Sequence, residues 1–141
     1  MGIKAKKCLY EGVIVVQALY GVEAWGMRNA ETRKVNVLEM KCLRSLDLVS
    51  RMDRVRNEEV RRRAGIERDL ASRADQRVVR WFGHVERMEE YRMERMVLMA
   101  EVSGVRVRGI PRLGWMDGVE VALGKRGKTV EAAQQCWKDR K

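Results

Sequence analysis

Apolar positions recur along this chain at steps of three and four, the spacing of one face of an α-helix, and the strict alternation of a half-buried strand is scarce. From Ala5 to about Leu19 the pattern places Leu9, Val13, Val16 and Leu19 on one stripe, and Gly21 breaks it. A second stripe, Val35, Leu38, Cys42, Leu46 and Val49, follows Asn29, a good N-cap with Glu31 in the first turn. A short third helix starts near Asn57 and stops at Gly65. Glu58 and Glu59 stand at the positive end of its dipole, and Arg61, Arg62 and Arg63 at the negative end.

Asp69 caps a fourth helix on which Leu70, Ala74, Val78, Trp81, Val85 and Met88 share a face, while Arg73, Arg77 and Arg80 lie off it. A fifth covers about Tyr91 to Val102 and uses Met93, Met96, Val97 and Ala100 as its apolar positions. From Ser103 to Gly114 the period disappears into a basic loop that Pro111 and its glycines keep from being helical. A sixth helix runs from Trp115 to about Leu123, a Gly-Lys-Arg-Gly-Lys turn spans 124–128, and Thr129 caps a terminal helix carrying Val130, Ala133 and Trp137. The expected fold is all-α: about six short amphipathic helices in one small bundle, with a basic Gly/Pro loop before the last two. No internal repeat or low-complexity tract interrupts the pattern.

Length and composition fit that picture. The 141 residues make one domain's worth of chain, and 45% hydrophobic residues supply a core. Charge adds more. Thirty Lys and Arg face 20 Asp and Glu, for a formal net charge of +10, and 21 of the 30 are Arg, whose planar fork grips phosphate oxygens and stacks on bases. Nucleic acid is therefore the first partner to expect. The charge is mixed along most of the chain, and only residues 101–141, with nine basic and five acidic side chains, are clearly unbalanced. The middle third reads as helices with salt-bridged, solvated faces. Three cysteines without a C-x-x-C and an N-terminus unlike a signal peptide point to an intracellular protein with reduced thiols. The apolar run Val13 to Val16 is too short to cross a bilayer, and neither a membrane nor a small-molecule substrate is expected.

The best candidate site is the loop carrying Arg106, Arg108 and Arg112, next to Trp115. Its glycines let backbone approach a phosphate chain, the arginines neutralise it, and an indole stacks on an unpaired base. The competing reading packs Trp115 into the core and leaves the arginines as solvated loop residues. Lys125, Arg126 and Lys128 extend the same patch or are simply a basic turn. Arg54 to Arg80 invites a helix-turn-helix reading, but the start of its second helix offers only Arg68 and Arg73 as base readers, so a plain helical hairpin is favoured. His84 is the single histidine, so no Ser-His-Asp or multi-histidine constellation exists. It borders the buried stripe, where a hydrogen bond fixing a helix crossing is favoured over chemistry. Zinc would need Cys8, Cys42, His84 and Cys136 to converge from four segments without short ligand spacings. The four tryptophans and nine methionines read as core. Glu23 reads as the partner of an arginine that fixes a chain reversal. No catalytic residue, metal ligand or cofactor is expected.

Four blocks in succession carry a resemblance: Tyr20-Gly-Val-Glu-Ala-Trp25, Asp53-Arg-Val-Arg-Asn-Glu-Glu-Val60, Trp81-Phe-Gly-His-Val-Glu-Arg-Met88 and Arg108-Gly-Ile-Pro-Arg-Leu-Gly-Trp-Met-Asp117. Together they resemble the C-terminal end of the reverse transcriptase polyprotein of non-LTR, LINE-type retrotransposons, over nearly the whole chain. The family usually has Arg where this chain has Ile110, which removes one positive charge from the loop. In such elements the polymerase palm carries an Asp-Asp motif that binds two metal ions, and this sequence has no Asp-Asp pair.

The resemblance thus implies a thumb-like helical segment at 1–50 and a helical basic tail at 51–141, one compact unit in all. It implies a C-terminal fragment of an RNA-directed DNA polymerase that binds RNA or DNA backbone without being an enzyme by itself. The missing polymerase core is a further partner, and the nucleus is the compartment. Two alternatives stand beside it. One is a helical interaction module with Val13, Val16, Leu38 or Leu46 exposed for a partner. The other is a non-functional remnant of a truncated mobile element.

Overall fold

The structure, a computed structural model, describes residues 2–25, 29–100, 109 and 114–138. The fold is all-α: among the described residues every regular element is helical. In chain order these are α1 (Ile3–Leu9), α2 (Val15–Ala18), α3 (Asn29–Asp47), α4 (Asn57–Ala64), α5 (Leu70–Glu86), α6 (Met93–Met99), α7 (Trp115–Gly124) and α8 (Val130–Lys138). A π-helical turn, Tyr10–Ile14, joins α1 to α2 without a break, so the two form one continuous rod. Short 3-10 turns lie at Val22–Ala24 and Arg51–Asp53. The basic loop expected at 103–114 lies outside the described residues except for Gly109 and Gly114.

The chain groups into two compact units, Met1–Val22 with Met27–Asp75, and Glu23–Gly26 with Gln76–Lys141. In the first, Tyr10, Leu19, Val22, Leu43, Val60 and Leu70 are fully buried and form the centre of one apolar cluster. The stripe Leu9, Val13, Val16 and Leu19 needs correction: Leu9, Val13 and Val16 are exposed, and the buried positions are Tyr10, Val15 and Leu19. The π turn is the reason. It advances Tyr10 to Val15 by five residues in one turn, so a count at 3.6 residues selects the wrong face.

The second stripe is displaced too. Val35 and Leu46 pack against the core, Leu38 is exposed, and Glu39, Met40 and Leu43 are the buried positions. Local signals for α4 and α5 hold well. Gly65, at φ +70°, ends α4 in the left-handed conformation, with its own N–H bonded to Arg62 O and that of Ile66 to Arg61 O. Asp69 Oδ1 accepts from Ser72 N at 3.0 Å as the cap of α5.

In the second unit the core is Val78, Val79, Phe82, Val119, Ala122, Leu123 and Ala133. Phe82 meets Trp115 and Trp137 edge-on, with ring centroids 6.0 and 5.5 Å away. Here Phe82, fully buried, occupies the place expected for Trp81, which is only partly buried. Gly83 lets Trp137 close on α5, since a Cβ there would lie 2.9 Å from the indole. Glu86 ties three helices together: Arg95 of α6 pairs with its Oε2, and Gln134 of α8 donates to its Oε1 at 2.9 Å. Helix α6 is shorter than the Tyr91 to Val102 expectation. Its Met93, Met96 and Val97 are exposed, and Leu98 is the side chain that packs on the core. Thr129 Oγ1 caps α8 by accepting from Ala132 N.

Candidate nucleic-acid interface

A basic chain becomes an interface only where its cations are not already spent on its own carboxylates. The densest arginine run, Arg61 to Arg63, is spent in this way. Arg62 forks onto Glu59 at 2.7 and 2.8 Å, and Arg63 Nε joins the same carboxylate at 2.8 Å. These guanidiniums hold the Glu59 carboxyl down at about 2. Arg61 turns inward to Glu39, donating from Nε at 3.2 Å and Nη2 at 2.7 Å.

Glu39 is fully buried and also accepts from the Tyr10 hydroxyl at 2.6 Å and from Leu70 N at 2.9 Å. Burial and that carboxylate push the Tyr10 phenol upward. Nearby, Arg73 forks onto Glu11 at 2.6 and 2.7 Å and lies 5.6 Å from the Tyr10 ring centroid. The Arg73 hydrogen bonds hold the Glu11 carboxyl below its ordinary range. Lys6 pairs with Asp47 at 2.6 Å. These cations are framework.

The first unit also has an open groove of about 770 Å³ between α3, the 49–55 segment and α4. Lys41, Arg44, Arg51, Arg54 and Arg61 line it, against two carboxylates, Glu58 and Asp69. The groove wall is built by local chemistry. Ser50 Oγ accepts from Met52 N, and Asp53 Oδ2 accepts from Ser50 N at 2.7 Å, closing a reciprocal cap around the 3-10 turn. Arg54 then takes a left-handed φ of +52°, a conformation costly for a residue with a Cβ. Arg44 clamps this wall to α3, with Nη2 donating to Val55 O at 2.6 Å and to Asn57 Oδ1 at 3.1 Å. Arg44 and Arg61 thereby hold the groove, while Lys41, Arg51 and Arg54 are exposed along it. Sequence reasoning missed this site, although the block starting at Asp53 is the wall itself.

Of the predicted site residues, Arg106, Arg108 and Arg112 lie outside the described residues. Lys125, Arg126 and Lys128 are all exposed on the turn after α7, which Gly127 makes possible at φ +66°. Arg126 N, donating to Leu123 O at 2.8 Å, and Lys128 N, donating to the same carbonyl at 3.2 Å, fold that turn back on the helix end. Trp115 is partly buried: its Nε1–H donates to Glu23 O at 2.7 Å while its ring packs on Phe82. That favours the supporting role over the stacking one. Asp117 accepts from Gly114 N and caps α7.

Glu23 faces Arg77 at 3.9 Å, in keeping with its expected arginine pairing. His84, expected at the border of the buried stripe, is instead exposed, with its ring 5.5 Å from that of Trp81. Among the described residues no three His, Cys, Asp or Glu side chains gather as a metal site, and no helix is long and apolar enough to cross a membrane. No protein-family model, curated protein or solved structure matches the chain.

Proposed function

We propose that the chain is the thumb-and-tail region of a reverse transcriptase of the non-LTR retrotransposon kind. In this reading it grips the RNA or DNA backbone and leaves nucleotidyl transfer to a palm outside these 141 residues. The four sequence blocks support the family assignment. The observation that supports nucleic-acid binding is the groove of the first unit, where Lys41, Arg51 and Arg54 are exposed along a wall held by Arg44 and Arg61. Binding of this kind releases condensed counterions, so affinity falls steeply with salt.

The test is a titration of the intact chain with labelled single-stranded RNA and with a duplex at two salt concentrations. Each phosphate contact contributes about 0.7–0.9 to the log–log salt slope. Lys41→Ala, Arg51→Ala and Arg54→Ala combined should therefore lower the slope by about 2 and weaken binding uniformly across sequences. Arg108→Ala with Arg112→Ala measures the share of the loop. A wild-type chain that binds neither strand nor duplex refutes the reading, and unaided nucleotide incorporation refutes the assignment of chemistry to a separate palm.

A second reading, an interaction module packing on a polymerase core, is favoured by one observation: Leu9, Val13 and Val16 are exposed on the α1–α2 rod, Tyr20 is exposed just after it, and Leu38 is exposed on α3. Leu46, by contrast, packs against the first unit's core. Mixing with a separately expressed polymerase core tests it: co-elution that is lost in Val13→Ser with Val16→Ser supports the reading, and separate elution refutes it.

A further inference from the structure

The face of α5 opposite its buried core residues carries that helix's only tryptophan, beside several of its cations. Arg77, Arg80, Trp81 and His84 follow one another on α5 at steps of three, one and three, Arg87 follows in the turn after the helix, and with Glu23 they line a cleft of about 540 Å³. That volume is within the range of small-ligand sites. Val78, Val79, Phe82 and Val85 point the other way and are buried. The Trp81 indole on the cation-bearing side is partly buried, whereas Phe82, one residue later, is fully buried.

The chemistry of the cleft is specific. Two flat rings, Trp81 and His84, stand with centroids 5.5 Å apart and planes inclined by 47°, so they form an angled aromatic surface rather than a closed sandwich. Three guanidiniums border them, and Glu23, 3.9 Å from Arg77, is the one carboxylate among the described residues of the lining. Arg80, on α5 before the ring pair, and Arg87, in the turn after it, are both exposed. A phosphate alone would use the arginines and ignore the rings, and an acidic peptide would likewise leave the indole idle. A ligand with a flat π-face and an adjoining anionic chain uses both.

We propose that this cleft takes an unpaired nucleotide of a single-stranded nucleic acid, its base stacked on Trp81 and His84 and its flanking phosphates held by Arg80 and Arg87. The proposal rests on the nucleic-acid reading above and deepens it, because it separates a base-stacking site in the second unit from the backbone groove in the first. Stacking of this kind tolerates any base, since every base has a π-face. It requires an unpaired one.

Fluorescence anisotropy of the intact chain tests the proposal with four probes: a 12-nucleotide single-stranded RNA, single-stranded DNA of the same sequence, a DNA strand of equal length made abasic throughout, and a blunt duplex. The single-stranded DNA, set against the RNA, reads out sugar preference. Trp81→Ala should weaken the normal single strands about tenfold, the abasic strand and the duplex less than twofold. Trp81→Phe should retain most of the affinity, and exposed His84→Ala should reproduce part of the loss. The far-UV circular dichroism of each variant monitors folding, and His84→Ala keeps the test decisive if Trp81→Ala fails to fold. The proposal is overturned if the wild type prefers no unpaired strand over the abasic one, or if His84→Ala and Trp81→Phe leave single-strand affinity unchanged while Trp81→Ala does so too. In either case binding to the duplex preserves the backbone reading. A wild type that binds none of the probes overturns both.

Discussion

Replacing Glu39 by Gln probes the centre of the first unit with a change of almost no volume. The carboxylate accepts from Tyr10 and Leu70 on Oε1 and from two nitrogens of Arg61 on Oε2. A glutamine keeps one oxygen for Tyr10 and Leu70 but turns an amide NH₂ toward the Arg61 guanidinium, donor against donor. Breaking a buried pair by removing one partner costs about 3–5 kcal/mol, and the lower figure applies because the Arg61 side chain keeps 22% of its exposure. A loss of about 3 kcal/mol lowers the melting temperature by about 10 °C in a chain of this size.

Thermal and urea melts followed by circular dichroism read this directly. Tyr10→Phe removes a single hydrogen bond to the carboxylate and should cost about 1.5 kcal/mol. In an Arg61→Leu background the Glu39→Gln penalty should shrink by more than 1 kcal/mol, since the stranded charge is gone. If Glu39→Gln stays within about 0.5 kcal/mol of wild type, or the double variant is additive, the carboxylate is not the keystone described.

Three further outcomes are expected. Phe82→Ala empties the fully buried slot between Trp115 and Trp137 and should cost about 3–5 kcal/mol, with a red shift of tryptophan emission as both indoles gain water. Gly65→Ala places a side chain at φ +70° with its Cβ 3.3 Å from Ile3 Cγ2, and should destabilise by about 1–2 kcal/mol in a urea melt, whereas an exposed glycine at ordinary φ would gain from alanine. In acid, Glu59 and Glu11 are held below their ordinary pKa of 4.5, so the folded chain resists protonation that the unfolded chain accepts. Stability should be level above about pH 5 and fall from there toward about pH 2, and Glu59→Gln should flatten part of that limb; a limb of unchanged slope in Glu59→Gln contradicts the Arg62 and Arg63 pairing.

What could be read from sequence followed the range of the interaction involved. The start and end of α4, the Asp69 and Thr129 caps, and the glycine turns were legible because each depends on residues within a turn or two. Faces were less so. A one-residue error exchanged Trp81 for Phe82, because both fit a helical stripe and only the indoles of Trp115 and Trp137, more than 30 residues onward, select between them. The π turn displaced the α1 stripe in the same way.

Glu39 was illegible: a carboxylate between Leu38 and Met40 looks like a solvated position until its partners, 22 to 31 residues away, enclose it. The candidate site followed the same logic. Exposure of the 124–128 turn was evident from its composition. The groove cations, by contrast, come from α3, the 3-10 turn and α4, and no short motif holds them together.

The shared carboxylate of Glu39 has a consequence for synthesis on the ribosome. Tyr10 is made long before its acceptor, and the Leu70 amide, the last donor, emerges 31 residues after Glu39. Until then a collapsed nascent chain would enclose an undersatisfied anion, so early compaction is penalised and the first unit closes as one event. A stop codon anywhere before residue 70 should therefore yield a product that chaperones and proteases recognise as unfolded, not a smaller version of the same unit.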